Sequence, residues 1–262
     1  MPRGYPAAGR AGSRTARTRG DRHDGGFAPF FSVLYVIEYV THFHFWRIDM
    51  TQRSLNIALF GATGMIGTRI AAEAVRRGHR VTALSRHPRA SVEGITAKAA
   101  DLFDAASIAA ALPGHDVVAS AYGPKQEDAA QVVAAAKALV AGTRQAGLKR
   151  LVVVGGAGSL EVAPGKQLVD TEGFPEAYKA QALAHRDALD YLKTVADLDW
   201  TFFAPAALIA PGERTGTFRT GVGKLIVDAQ GNSKISVEDY AVAFVDALEQ
   251  DSFVREIATV AY

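Results

Sequence analysis

Seven residues constrain this chain more than any others: Gly61-Ala62-Thr63-Gly64-Met65-Ile66-Gly67. The run before them, Leu55–Phe60, is short, apolar and closed by glycine, which reads as a buried strand. The run after them, Ile66–Arg77, has apolar residues at helical spacing and stops at Gly78, a plausible C-cap. Glycines at Gly-x-x-Gly-x-x-Gly spacing between a strand and a helix have separate tasks. Gly61 allows the tight turn, Gly64 leaves bare backbone facing outward, and Gly67 lets the helix pack closely on the strand.

The alternation continues along the chain. Arg80–Ser85, Ile95–Ala99, Asp116–Ser120, Leu151–Val154 and Trp200–Ala204 read as strands. Ile108–Leu112, Ala129–Gln145 and Pro175–Val195 read as helices between them. Such βαβ units imply a parallel sheet, and right-handed crossovers cover both its faces. The expected fold is α/β: a doubly wound parallel sheet of the Rossmann type. Beyond Pro205 the rhythm loosens into a small C-terminal, substrate-side extension. There Thr217–Arg219 and Lys224–Val227 predict a hairpin, Val237–Leu248 a helix capped by Ser236, and Ile257–Val260 a last strand.

Residues 50–262 form this domain, and the first 49 read differently. Residues 1–24 are rich in Arg, Gly and Ala without an apolar period, while Phe27–Trp46 is apolar and aromatic. Glu38 interrupts that run, and a carboxylate near the centre of a spanning helix costs roughly 2.5–3.5 kcal/mol. No Ala-x-Ala cleavage site follows it. Translation starting at Met50 is the favoured reading, ahead of a disordered or amphipathic appendage and a membrane-directed segment. Residues 1–53 hold 8 Lys/Arg against 4 Asp/Glu, and the rest 21 against 23, so the body carries no basic footprint for nucleic acid. The chain has no cysteine, which excludes disulfides, thiolate metal sites and a cysteine nucleophile, and fits a cytoplasmic setting. His42 and His44 lack partners at metal-site spacing, so no metal is expected.

A helix N-terminus offers unpaired N–H groups and about half an elementary positive charge, which suits an anion. Gly61, Thr63, Gly64, Met65, Ile66 and Gly67 are therefore expected to cradle a dinucleotide pyrophosphate. The end of the second strand selects between dinucleotides. NAD enzymes place an acidic residue there, about 20 residues beyond the turn. This chain has Ser85-Arg86-His87-Pro88-Arg89. A guanidinium pairs with a 2′-phosphate, so Arg86 predicts NADP(H) over NAD(H), with Ser85 and Arg89 as helpers. Asp101-Leu102 follows the third strand, where Asp101 accepts from the adenine amino group or caps the next helix.

Several segments together resemble a known family: the glycine turn, Asp116–Pro124, Val154–Leu160, Trp200–Arg214 and Ile235–Ala241. They are similar to the NADH-flavin reductase group of atypical short-chain dehydrogenases, over roughly Leu55 to Tyr262. The resemblance implies a Rossmann fold, NADP(H) binding and reduction of flavins such as FMN, or of related rings. It implies that Ser120, Ala121, Tyr122 and Gly123 line the cofactor's central ribose and phosphate. It places Gly155–Ser159 beside the nicotinamide, with Ser159 polarising a carbonyl, and brings Pro205 to the nicotinamide amide.

One departure matters. Ordinary members of the wider family need Tyr-x-x-x-Lys, in which the lysine lowers the tyrosine's pKa. Here Tyr178 is followed directly by Lys179, and position 182 is Ala182. Neighbouring helical residues point in different directions, so Lys179 does not support Tyr178 in the usual way. Alcohol oxidation, epimerisation and dehydration are disfavoured. Hydride transfer to a planar flavin-like or quinone-like acceptor asks less of the protein, with a proton from water, Tyr178 or His185. The expectation is an NADPH-dependent reductase; the alternatives are a non-catalytic NADP(H) sensor and an epimerase- or dehydratase-like enzyme. The alanine-rich Ala129–Ala146 helix reads as packing surface or a dimer face, compatible with a monomer or a homodimer.

Overall fold

The computed structural model describes residues 53–262 apart from 90, 92 and 125–127, so the expectations for residues 1–49 and the start at Met50 lie outside the described residues. The elements follow in chain order. They are β1 (Asn56–Phe60), α1 (Met65–Arg76), β2 (Arg80–Ser85), β3 (Ile95–Ala99), α2 (Ala105–Ala111), β4 (Val117–Ser120), α3 (Gln131–Gln145) and β5 (Arg150–Val154). A short hairpin, β6 (Glu161–Ala163) and β7 (Lys166–Gln167), precedes α4 (Glu176–Lys193) and β8 (Asp199–Ala204). The extension holds β9 (Leu208–Ala210), β10 (Arg219–Val222), β11 (Lys234–Ser236), α5 (Val237–Glu249) and β12 (Glu256–Ala261).

Eight strands form the main sheet in the order β10-β12-β8-β5-β4-β1-β2-β3. β1 pairs in parallel with β2 on one side and β4 on the other, so the winding direction reverses at β1. Open α/β sheets bind ligands outside the carboxyl ends of strands at such a point. Alternate residues of one strand feed opposite cores. Ile57 and Leu59 pack under α1 and α5, while Ala58 and Phe60 pack under α2, α3 and α4.

The hairpin expected from Thr217–Arg219 and Lys224–Val227 does not form. Arg219–Val222 pairs antiparallel with β12 instead, in the register Arg219↔Ala261 to Val222↔Ala258. β12 joins β8 in parallel and leaves its far edge open; an unpaired edge needs partners, and β10 supplies them. Leu225 instead donates its N–H to the Glu161 carbonyl at 2.9 Å. The α5 cap is as expected: Ser236 Oγ accepts from the Asp239 N–H at 2.9 Å. Asp101 does not cap α2. Asp104 does, accepting from the Ala106 N–H at 3.0 Å.

Candidate functional site

The glycine turn closes on itself. Gly61 sits at φ 75°, and the Gly64 N–H donates to the Gly61 carbonyl at 3.0 Å. A Cβ on Gly61 would lie 2.6 Å from the Ala121 carbonyl, and one on Gly67 would lie 2.0 Å from the Gly61 carbonyl oxygen. Both glycines are therefore required by backbone packing. Gly64 differs: its nearest neighbour would be 3.4 Å away and its φ is −77°. The fold itself tolerates a side chain there. The first turn of α1 has no side-chain cap and no acidic residue, and Thr63, Gly64 and Met65 are exposed. With the Gly64 N–H taken by Gly61, the first-turn N–H groups of Met65, Ile66 and Gly67, which no side chain caps, leave an open helix N-terminus of the kind that suits an anion.

Arg86 stands exposed just past β2 and makes no ion pair with another described residue. It lies near Tyr122, whose hydroxyl is pushed up in pKa by burial and by the charge of Asp128, while Arg86 pulls the other way. The Tyr122 hydroxyl donates to Gln131 Oε1 at 2.7 Å. Its ring meets Phe103 edge-on, with centroids 5.7 Å apart. Arg86, Tyr122 and Phe103 thus frame one corner of the crevice beyond β2, β3 and β4. Sequence reasoning missed Phe103 and Gln131; an aromatic two residues past Asp101 was the available signal for the first. Asp101 shapes the loop, accepting from the Phe103 N–H at 2.9 Å. The Leu102 side chain is core.

Ser120 ends β4 with its side chain buried, and Ala121 follows, its N–H donating to the Phe60 carbonyl. Tyr122 and Gly123 continue the same strand end. At the end of β5, a Cβ on Gly155 would strike the Phe202 ring at 2.2 Å, and one on Gly156 would come within 3.1 Å of His185. Residues 157–159 then form a single 3-10 turn that buries Ser159 completely, its hydroxyl unpartnered among the described residues. Ser159 therefore does not face the open crevice. Tyr178 does the opposite: it is 60% exposed on the first turn of α4, and Lys179 is turned toward Glu176 at 3.5 Å. His185, two turns further along α4, is buried against Phe202, and burial lowers its pKa to about 4. Pro205 is buried directly past β8. Among the described residues there is no cluster of three metal-ligating side chains, and no helix long and apolar enough to cross a membrane.

A sheet that reverses at β1, with a glycine cradle and an arginine unpaired among the described residues at its carboxyl edge, defines an NAD(P)-binding Rossmann protein. The chain belongs to the NAD(P)H-binding family, whose model matches residues 61–251. It is similar to solved structures. A Burkholderia pseudomallei protein named a "putative exported protein" is 78% identical, covers 79% of this chain and 100% of its own, and superposes with a TM-score of 0.76. A "putative epimerase" from Bacteroides thetaiotaomicron is 38% identical over 80% of this chain and 98% of its own, TM-score 0.74. A "putative NADH-flavin reductase" from Streptococcus pneumoniae is 33% identical over 79% and 99%, TM-score 0.71.

Proposed function

We propose that this chain is an NADPH-dependent reductase that delivers hydride to a flavin-like or quinone-like acceptor. The observation that carries the cofactor choice is Arg86: exposed, without a described carboxylate partner, at the strand end where an acid would repel a 2′-phosphate. NADPH, when bound, would supply the hydride and be left as NADP⁺, and the acceptor's second hydrogen would come as a proton from water. The protein's tasks are then to bind and orient. The cradle of Gly61, Thr63, Gly64, Met65, Ile66 and Gly67 holds the pyrophosphate. Asp101 and Leu102 border the adenine, Ser120–Gly123 the central ribose, and Pro205 the nicotinamide end. FMN is one candidate acceptor, and a cytoplasmic setting suits the chemistry.

The relative named an epimerase favours a different reaction, but that chemistry needs a supported tyrosine, and Lys179 turns away from Tyr178. A buried Ser159 and an unsupported Tyr178 give the sensor reading its own footing, because the cradle is kept without a proton-transfer pair. NADPH oxidation with FMN, riboflavin and a quinone panel separates the two: binding without turnover of any acceptor favours the sensor.

Cofactor choice has its own test. Arg86→Ala removes a charged hydrogen-bond partner worth about 1.5–3 kcal/mol, so NADPH affinity should drop by about one to two decades while NADH affinity holds. Equal affinity of the unaltered protein for both nucleotides would remove Arg86 from this role.

A further inference from the structure

Between the sheet and helices α3 and α4 lies a small cavity of about 30 Å³. Its walls are mostly apolar, with Val132, Leu139 and Phe202 among them, and its polar contributors are Ser120, Tyr122 and His185. Ser120 and Val154 place one end of it at the carboxyl ends of β4 and β5, where the ligand crevice begins.

The three polar groups are not equally engaged. The Tyr122 hydroxyl hydrogen is committed to Gln131. Among the described residues Ser120 Oγ meets only the Tyr122 N–H, at a long 3.4 Å, and its own O–H has no acceptor there. His185 is 8% exposed, and neither ring nitrogen has a partner among the described residues. Burial keeps the ring neutral at physiological pH, so it carries one N–H donor and no charge. Neither ring nitrogen is among the wholly enclosed, unpartnered polar atoms of the described residues, which fits a donor that opens onto the adjoining cavity rather than one stranded in the core. The cavity beside it has room for one water-sized group. No lysine or arginine lines it, so a carboxylate would be buried there without a counter-charge. Two donors without a partner among the described residues, apolar walls and no described cation select one neutral oxygen.

We infer that this cavity is an oxygen-recognition subsite for the acceptor, where the His185 N–H and the Ser120 O–H hold a carbonyl oxygen of the planar ring. The inference rests on the reductase reading and narrows it. Quinones and isoalloxazines present neutral ring carbonyls and fit; an acceptor that must insert a carboxylate here does not. His185 becomes a binding residue, in a role different from proton donation, for which a neutral imidazole with so low a pKa is poorly suited.

The test uses the full chain, labelled with ¹⁵N-histidine and saturated with NADP⁺. It is titrated with 2-methyl-1,4-naphthoquinone and, separately, with 2-methylnaphthalene, which has the same rings without the oxygens. The imidazole signal absent from His185→Phe identifies His185, and that signal should shift with the quinone alone. In turnover with NADPH and the quinone, His185→Phe should lower kcat/KM by about 10- to 100-fold and leave NADPH affinity within about twofold. His185→Gln, which keeps a donor, should recover most of the loss and stands in if the phenylalanine variant fails to fold. Quinone turnover unchanged in a folded His185→Phe overturns the subsite and leaves the reductase reading intact. A quinone-specific shift without turnover of any acceptor keeps the subsite and overturns the reductase. Silence in both measurements overturns both.

Discussion

On the face of the sheet covered by α1 and α5, charge is buried and paired; on the face covered by α3 and α4, small residues leave space and one buried imidazole has no partner among the described residues. Glu73 of α1 accepts from Arg76, Arg77 and Arg214 at 2.6–3.0 Å. Arg77 reaches on to Asp246 and Glu249 of α5, both at 2.6 Å, and Glu249 also meets His79 at 2.8 Å. α1 follows the glycine turn, so this network fixes the helix whose N-terminus faces the crevice. Across the sheet, Ala136 of α3 packs with Ala184 and Ala188 of α4, and the cavity opens beside them. On the reductase reading proposed above, the contrast would correspond to a division of labour: a rigid face for a constant cofactor and a roomier one for a variable acceptor.

The largest predicted effect lies within the cradle and separates its two neighbouring glycines. Gly67→Val places a side chain 2.0 Å from backbone that cannot yield, so the helix must leave the strand. The expected cost exceeds about 4 kcal/mol, with loss of the cooperative thermal transition. Gly64→Val meets only ordinary contact distance and should keep the native circular dichroism and melting temperature, yet lose nucleotide binding. A folded Gly64→Val protein that binds NADPH normally would move the phosphates away from this turn. A stable Gly67→Val protein would show that α1 is not held as tightly as its ion network implies.

The two faces should also yield to acid in different windows. Burial lowers the His185 pKa from 6.5 to about 4, so its stabilising contribution is whole above pH 6.5 and is lost progressively as pH falls to 4. The shift corresponds to roughly 3 kcal/mol. For Glu73, burial raises the pKa, but the bonds from Arg214, Arg76 and Arg77 outweigh it and hold the carboxyl well below its ordinary value of 4.5. That contribution persists to lower pH and is lost only as pH falls below 4.5. Urea unfolding between pH 7.5 and pH 3 should therefore show a decline that begins near pH 6.5, and His185→Phe should flatten this first part alone. Identical pH slopes in the two proteins would mean that His185 is solvated, and the contrast between the faces would lose its α3–α4 half.

How much of this could be read beforehand divides along chemical lines. Where one residue type answers to one local demand, the sequence was explicit. The glycine turn, the strands Arg80–Ser85 and Ile95–Ala99, and the Ser236 cap all lie where spacing and propensity put them. Where the answer depends on a distant edge, it was not. Arg219–Val222 pairs with β12 because that edge lay open, and nothing within residues 217–227 encodes this. β9 and β11 are three residues each, too short to show a period, and pair across 25 intervening positions of chain only because the fold brings them together. Ser159 follows β5 as the family resemblance implied, but the 3-10 turn at 157–159 takes it into the interior. His185 could be named as a polar residue on a helix; only the packing of Phe202 and Gly156 against it showed that it is buried and lines a cavity.

The smallest predicted effect concerns how the extension is fastened to the charged face. Residues 212–216 are held mainly by α5 and its cap: the Gly212 N–H donates to Glu238 at 2.8 Å, the Gly216 N–H donates to Asp239 at 2.8 Å, and Ser236 Oγ donates to the Glu213 carbonyl at 2.7 Å. Arg214 adds a two-pronged contact from this loop to Glu73, but its side chain is 40% exposed, so solvent screens much of the pair. Glu73 also keeps Arg76 and Arg77 if Arg214 is lost, so no buried charge is stranded. Arg214→Ala should thus cost only about 0.5–1 kcal/mol, a melting shift of about 2–4 °C. Its clearer mark should be faster amide hydrogen exchange at Gly212–Thr217, with exchange in α1 unchanged. If exchange in α1 rises as well, the extension and the cradle are one mechanical unit, and events at the acceptor side would reach the cofactor helix through Arg214.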